Sequence, residues 1–152
     1  MAKVAIVMGS RSDEEVMKPC AKHLEHFGIS YEIKVLSAHR QPDETIQFAK
    51  KAVDNGYEVI IAAAGMAAHL PGAIAAQTTL PVIGVPLSSS ELKGLDALFS
   101  IVQMPAGIPV ATVTIGSAGA QNAGVLAAEI LALEDEKIRE RLVDFKKQGA
   151  KI

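Results

Sequence analysis

At 152 residues the chain has the length of one ordinary domain and is too short for two. It is 49% apolar and 21% charged with a net charge of −2, which excludes a disordered chain and, with no basic block or stripe, a phosphodiester-backbone partner. The single Cys20 excludes an internal disulfide, and no Cys/His spacing fits a zinc site.

The opening apolar run, residues 3–8, reads as a buried strand. It is too short for a signal segment or a membrane span, and no longer run escapes Gly, Pro or charge, so a cytoplasmic protein is expected. Residues 13–27 follow as a helix, with Val16, Cys20, Leu24 and Phe27 at helical spacing. Ser12 with Glu15 suggests a capping box, and Gly28 a stop. Cys20 reads as a buried structural thiol, while His23 and His26, set among charges, are expected to be solvated. Residues 31–36 are the second strand. Pro42 opens the next helix, with Asp43 and Glu44 favourable in its first turn, an apolar stripe of Ile46, Ala49 and Val53, and Gly56 at its end.

Residues 58–63 form a third strand without alternation, as in a strand covered on both faces. A helix over 71–77, a strand over 81–85 and a helix opened by a capping pattern at 88–91 and running to about 102 come next. A fifth strand over 110–115, an alanine-rich helix over 120–133 and a terminal amphipathic helix over about 135–148, with Ile138, Leu142 and Phe145, complete the chain. Repeated β–α units predict one domain over 1–152: a three-layer αβα sandwich around a parallel, doubly wound, flavodoxin-like sheet of about five strands.

Ligands of such sheets bind beyond the carboxyl ends of the strands, and three strand-to-helix junctions here carry more than turn residues. Gly9-Ser10-Arg11-Ser12-Asp13 sets backbone N–H groups and hydroxyls at a helix start, suited to phosphate or carboxylate, with Asp13 suited to ribose hydroxyls. Ser12 and Asp13 also read simply as a cap and a dipole complement. The pattern is not GxGxxG, so no dinucleotide is indicated. Ser37-Ala38-His39-Arg40 joins a proton carrier to a planar anion-binding fork, unless both face solvent in an ordinary loop. Gly65-Met66-Ala67-Ala68-His69-Leu70-Pro71-Gly72 brings small residues that admit a ligand to the backbone, then His69, which could equally bond a carbonyl. No nucleophile elbow or glycosidase carboxylate pair is present. Proton transfer on a bound anionic small molecule is the chemistry these residues support.

At these junctions, and at Leu80-Pro81-Val82-Ile83-Gly84-Val85-Pro86, Ser100-Ile101-Val102-Gln103-Met104-Pro105, Gly107-Ile108-Pro109-Val110-Ala111-Thr112 and Asn122-Ala123-Gly124, the chain resembles the PurE family in its class I form, the N5-carboxyaminoimidazole ribonucleotide mutases of purine biosynthesis. The resemblance runs over residues 3–133. It implies an isomerase that moves a carboxylate from the exocyclic amine of a ribonucleotide to C4 of its imidazole, with no metal or organic cofactor and as a homo-octamer. By the same resemblance His39 is the general acid/base, Arg40 holds the phosphate and Asp13 the ribose. Gly9, Ser10 and Ser37 position the substrate, and Ala64, Gly65, Ala67, His69 and Leu70 wall the pocket that retains CO2.

Ala63 and Met66 depart from the family's usual glycines, Gln41 from its threonine and Ser117 from its lysine. Arg40 favours class I over the directly carboxylating class II, where a lysine is expected. A non-catalytic nucleotide-binding module of the same fold is the rival reading, and it would need neither His39 nor His69. Residues 97–104 look too apolar to face water, which points to burial between subunits.

Overall fold

The computed structural model describes residues 2–152. Three apolar runs form its interior: β1 (Val4–Met8), β3 (Val59–Gly65) and β4 (Val82–Leu87) are buried along almost their whole length. Strands with helices on both faces need no polar alternation. β2 (Tyr31–Val35) and the two-residue β5 (Ala111–Thr112) lie at the edges of a five-stranded, all-parallel sheet of order β2-β1-β3-β4-β5.

Side chains alternate across these strands, so one apolar run feeds two cores. Val4, Ile6 and Met8 with Val59, Ile61 and Ala63 face α1 (Glu14–His26), α5 (Ser117–Leu131) and α6 (Glu136–Lys147). Ala5 and Val7 with Ile60, Ala62 and Ala64 face α2 (Pro42–Lys51), α3 (Leu70–Ala75) and α4 (Leu95–Val102). The three-layer, flavodoxin-like architecture follows, because each right-handed crossover must pack back on the sheet.

Register sets the site. Met8 lies opposite both Val35 and Ala63, so β1, β2 and β3 end side by side and their following loops leave from one edge. The chain adds β2 on one side of β1 and β3 on the other, which places a topological switch point between β1 and β3.

Several local expectations are corrected. No Ser12–Glu15 capping box forms, because a 3-10 turn (Arg11–Asp13) precedes α1 and moves the cap to Ser10. The buried stripe of α2 is Thr45, Ala49 and Ala52. Ile46 is half-buried, Val53 exposed, and the helix stops at Lys51, well before Gly56. The helix expected from residue 88 begins only at Leu95, after a turn closed by left-handed Gly94. β5 is shorter than expected, and α5 starts earlier, at Ser117.

His23 is buried, not solvated. It sits on the α5 side of α1, its Nδ1 2.7 Å from the Pro19 carbonyl oxygen and its ring edge-on to Phe145 of α6. Cys20 is fully buried, and burial pushes its thiol up to about 12.

Small residues let α5 approach its neighbours. An ideal Cβ on Gly119 would lie 1.7 Å from the Thr114 carbonyl oxygen, a backbone atom that no rotamer change can move. Helix propensity alone makes Gly→Ala favourable by about 1 kcal/mol. Here overpacking wins, and Gly119→Ala is expected to destabilise the fold by about 3 kcal/mol, read as a lower urea midpoint at unchanged slope.

Candidate active site

The loops after β1, β2 and β3 enclose a cavity of about 610 Å³ at the switch point, within the range of about 300–1,000 Å³ usual for small-molecule sites. All the candidate residues line it: Gly9, Ser10 and Asp13 from the first loop, Ser37, His39 and Arg40 from the second, and Ala64, Gly65, Ala67, His69 and Leu70 from the third. Ser12, Ala38, Met66 and Ser89 complete the wall.

In the first loop Ser10 Oγ accepts the Ser12 N–H (3.3 Å) and shares a hydrogen bond with Ser12 Oγ (2.9 Å). Asp13, the residue before α1, makes no side-chain cap and no ion pair among the described residues. Burial raises its carboxyl above the usual 3.8, and a hydrogen bond from the Ser10 backbone draws it partly back. A carboxylate held this way has lone pairs to offer a hydroxyl-bearing ligand.

The second loop is a latched turn. Ser37 Oγ accepts the Arg40 N–H (3.1 Å), the Ser37 carbonyl accepts the Gln41 N–H (2.8 Å), and Gln41 Oε1 accepts the Ser37 N–H (3.3 Å). Thr45, buried beneath, donates to the Gln41 carbonyl (2.8 Å). Gln41 and Thr45 therefore shape the turn that presents His39 and Arg40. The sequence marked Gln41 only as a departure and Thr45 not at all, because a side chain that hydrogen-bonds its own loop leaves no periodic signal. The Arg40 side chain makes no ion pair among the described residues, so its five donors face the cavity's edge unclaimed by a carboxylate.

The third loop turns tightly, with the His69 N–H bonded to the Ala67 carbonyl (2.8 Å), and α3 then starts with Pro71 in its first turn. Among the described residues, the His69 ring bonds no carbonyl. Its Nδ1 lies 2.6 Å from His39 Nε2, with the rings nearly perpendicular (84°). One proton lies between the two nitrogens, so the tautomer of either ring fixes that of the other. Two loops separated by 30 positions thus build one proton-handling unit on an open cavity.

Ser89, beyond β4, touches this loop: a Cβ on Gly65 would lie 1.9 Å from Ser89 Oγ. It was hidden in the sequence by the capping pattern around it. Met66 has a left-handed backbone, φ 55°, which costs a residue with a Cβ about 1–2 kcal/mol. No three or more His, Cys, Asp or Glu side chains converge as a metal-binding group among the described residues.

Residues 3–151 match a protein-family model described as AIR carboxylase. The chain belongs to the AIR carboxylase family. It is 56% identical to an N5-carboxyaminoimidazole ribonucleotide mutase of Escherichia coli (strain K12) over 146 residues, 96% of this chain and 86% of the relative. To the enzyme of the same name from Pyrococcus abyssi it is 57% identical over 146 residues, covering 96% and 83%. Among solved structures, Treponema denticola PurE superposes with a TM-score of 0.85 at 32% identity, over 97% of this chain and 90% of that one. A 3-dehydroquinate dehydratase-like protein from Bifidobacterium longum, with a TM-score of 0.56 at 19% identity, shares the fold alone.

Within this member of the AIR carboxylase family, the desolvated Asp13 carboxyl makes stability depend on pH. Below the ordinary carboxyl range Asp13 is protonated folded or unfolded. As pH rises above 3.8 the unfolded chain ionises freely while the folded carboxyl resists, so the folded state loses ground. Asp13→Asn is expected to melt higher than the parent at pH 7, with the difference vanishing toward pH 3 in thermal melts across that range.

Proposed function

We propose that this chain is an N5-carboxyaminoimidazole ribonucleotide mutase, an isomerase of purine biosynthesis. The observation that carries the reading is the His39–His69 pair beside unpaired Arg40, in a cavity of nucleotide size whose family is that of the mutases named above.

The reaction needs one proton in and one proton out. His39 donates to the exocyclic nitrogen as its bond to the carboxylate breaks, leaving neutral aminoimidazole ribonucleotide and CO2. C4 then bonds to the CO2 carbon, and His39, now basic, removes the C4 proton and restores the aromatic ring. The sum is an isomerisation, with no co-reactant. The aminoimidazole is a modest carbon nucleophile, so holding CO2 beside it supplies a local concentration that solution lacks.

Arg40 takes the phosphate as a bidentate partner, and Asp13 the ribose hydroxyls. The hydroxyls of Ser10 and Ser37, with the backbone at Gly9, position the ring. Ala64, Gly65, Ala67 and Leu70 keep the wall small and dry, while His69 holds the tautomer of His39.

The test supplies the carboxyamino ribonucleotide without ATP or bicarbonate and follows the C4-carboxylated product. Conversion is expected, with kcat about 10²–10⁴-fold lower in His39→Asn. Product formed only from aminoimidazole ribonucleotide and CO2 would instead make the chain a carboxylase. No turnover of either substrate would leave a binding module.

The chain acts as a homo-oligomer, an octamer by family resemblance, in the cytoplasm. The described residues contain no helix long and apolar enough to cross a membrane. Of the apolar residues 97–104, Ala97 and Ile101 are packed within the chain. Leu92, Leu95, Phe99 and Val102 are about half exposed or more, side by side on and before α4. Such a patch is better covered by another subunit than by water. Phe99→Glu is expected to reduce the mass measured by light scattering from that of the octamer toward that of a smaller species.

A further inference from the structure

Of the larger apolar side chains on the cavity wall, Leu70, the first residue of α3, is 2% exposed and packed in the core, whereas Met66 is 58% exposed and belongs to neither core. Its backbone sits at φ 55°, where glycine would be relaxed. A side chain kept at a strained position on a cavity wall, largely exposed and outside both cores, does its work on what enters the cavity.

We propose that Met66 is the cover of this site, folding its thioether over the reacting end of the bound nucleotide so that CO2 is recaptured rather than lost. The inference rests on the mutase reading and adds a residue to it. Methionine suits the role: it is unbranched, flexible and polarisable, and it follows the contour of a ligand that changes shape between two half-reactions. It brings no acidic proton and no nucleophile to compete for CO2. It stands three residues before His69 in the same loop and lines the cavity together with both imidazoles. Ala67 and Ala68 beside it are too small to exclude water alone.

Escape of CO2 can be counted directly. Unlabelled carboxyamino ribonucleotide is converted in ¹³C-bicarbonate with carbonic anhydrase present, and the label in the C4 carboxylate is measured, with a no-enzyme control for spontaneous loss. Retained CO2 gives unlabelled product, while each escape exchanges with the labelled pool.

The parent and Met66→Leu, which keeps apolar bulk, are expected to give product with little label. Met66→Gly is expected to raise the labelled fraction by roughly tenfold, the scale on which a missing apolar contact acts in a pocket. It should also melt at a higher temperature, because the left-handed strain is gone, which a purely structural Met66 would not predict. Equal labelling in the parent and Met66→Gly, with turnover intact in both, would overturn the cover while leaving the mutase standing. Absence of turnover in the parent would overturn the mutase reading, and the cover with it.

Discussion

The rest of the structure depends on the handedness of the β–α–β crossover, applied to a chain that changes direction once. A right-handed connection places α1 on one face of the sheet when the chain moves from β1 to β2, and α2 on the other when it returns past β1 to β3. The loops leaving β1 and β3 diverge to opposite faces, and a crevice opens between them. Parallel register then sets the ends of β1 and β2, Met8 and Val35, level with Ala63 of β3, which runs on two residues to Gly65. Nothing in that crevice is created by the candidate site's side chains themselves. They occupy a gap that topology leaves.

Inside the gap, part of the rigidity is supplied by groups behind the cavity wall. Thr45 and Gln41 close the His39 loop through hydrogen bonds to its own backbone, and Ser10, itself on the wall, also braces the first turn. The strained or desolvated groups lie on the cavity side: the half-buried Asp13 carboxyl and the left-handed Met66, beside the hydrogen-bonded imidazoles of His39 and His69. Their cost is tolerable because the surrounding sheet is packed on both faces and over-determines their positions. Stability and function are thus divided spatially, with the ligand-facing edge carrying the strain.

Even the framework holds local conflicts resolved by tertiary contact. Pro19 lies inside α1, where it removes a helical hydrogen bond, yet the helix continues because it is clamped on α5. His23 and Phe145 meet on the same side. A charged neighbourhood in the chain does not keep His23 in water once α5 and α6 cover that side of α1.

The amino-acid sequence by itself determined the order and kind of the main elements, the fold class and the three loops that line the candidate site. Each is written locally, in apolar runs, helical spacing, and Gly, Pro, His and Arg at strand ends. It could not determine element edges where local signals compete: the capping pattern at 12–15 lost to a 3-10 turn, and the one at 88–91 to the turn before Leu95. Nor could it decide which face of α2 is buried, since Ile46 and Val53 are as apolar as the Ala49 and Ala52 that the sheet selects. The meeting of His39 with His69, the reach of Ser89 into the wall and the strain at Met66 belong to the tertiary structure alone. The reason is geometric: they depend on distances across the sheet between segments far apart in the chain, and such distances are set by register and crossover, which no window of the sequence contains.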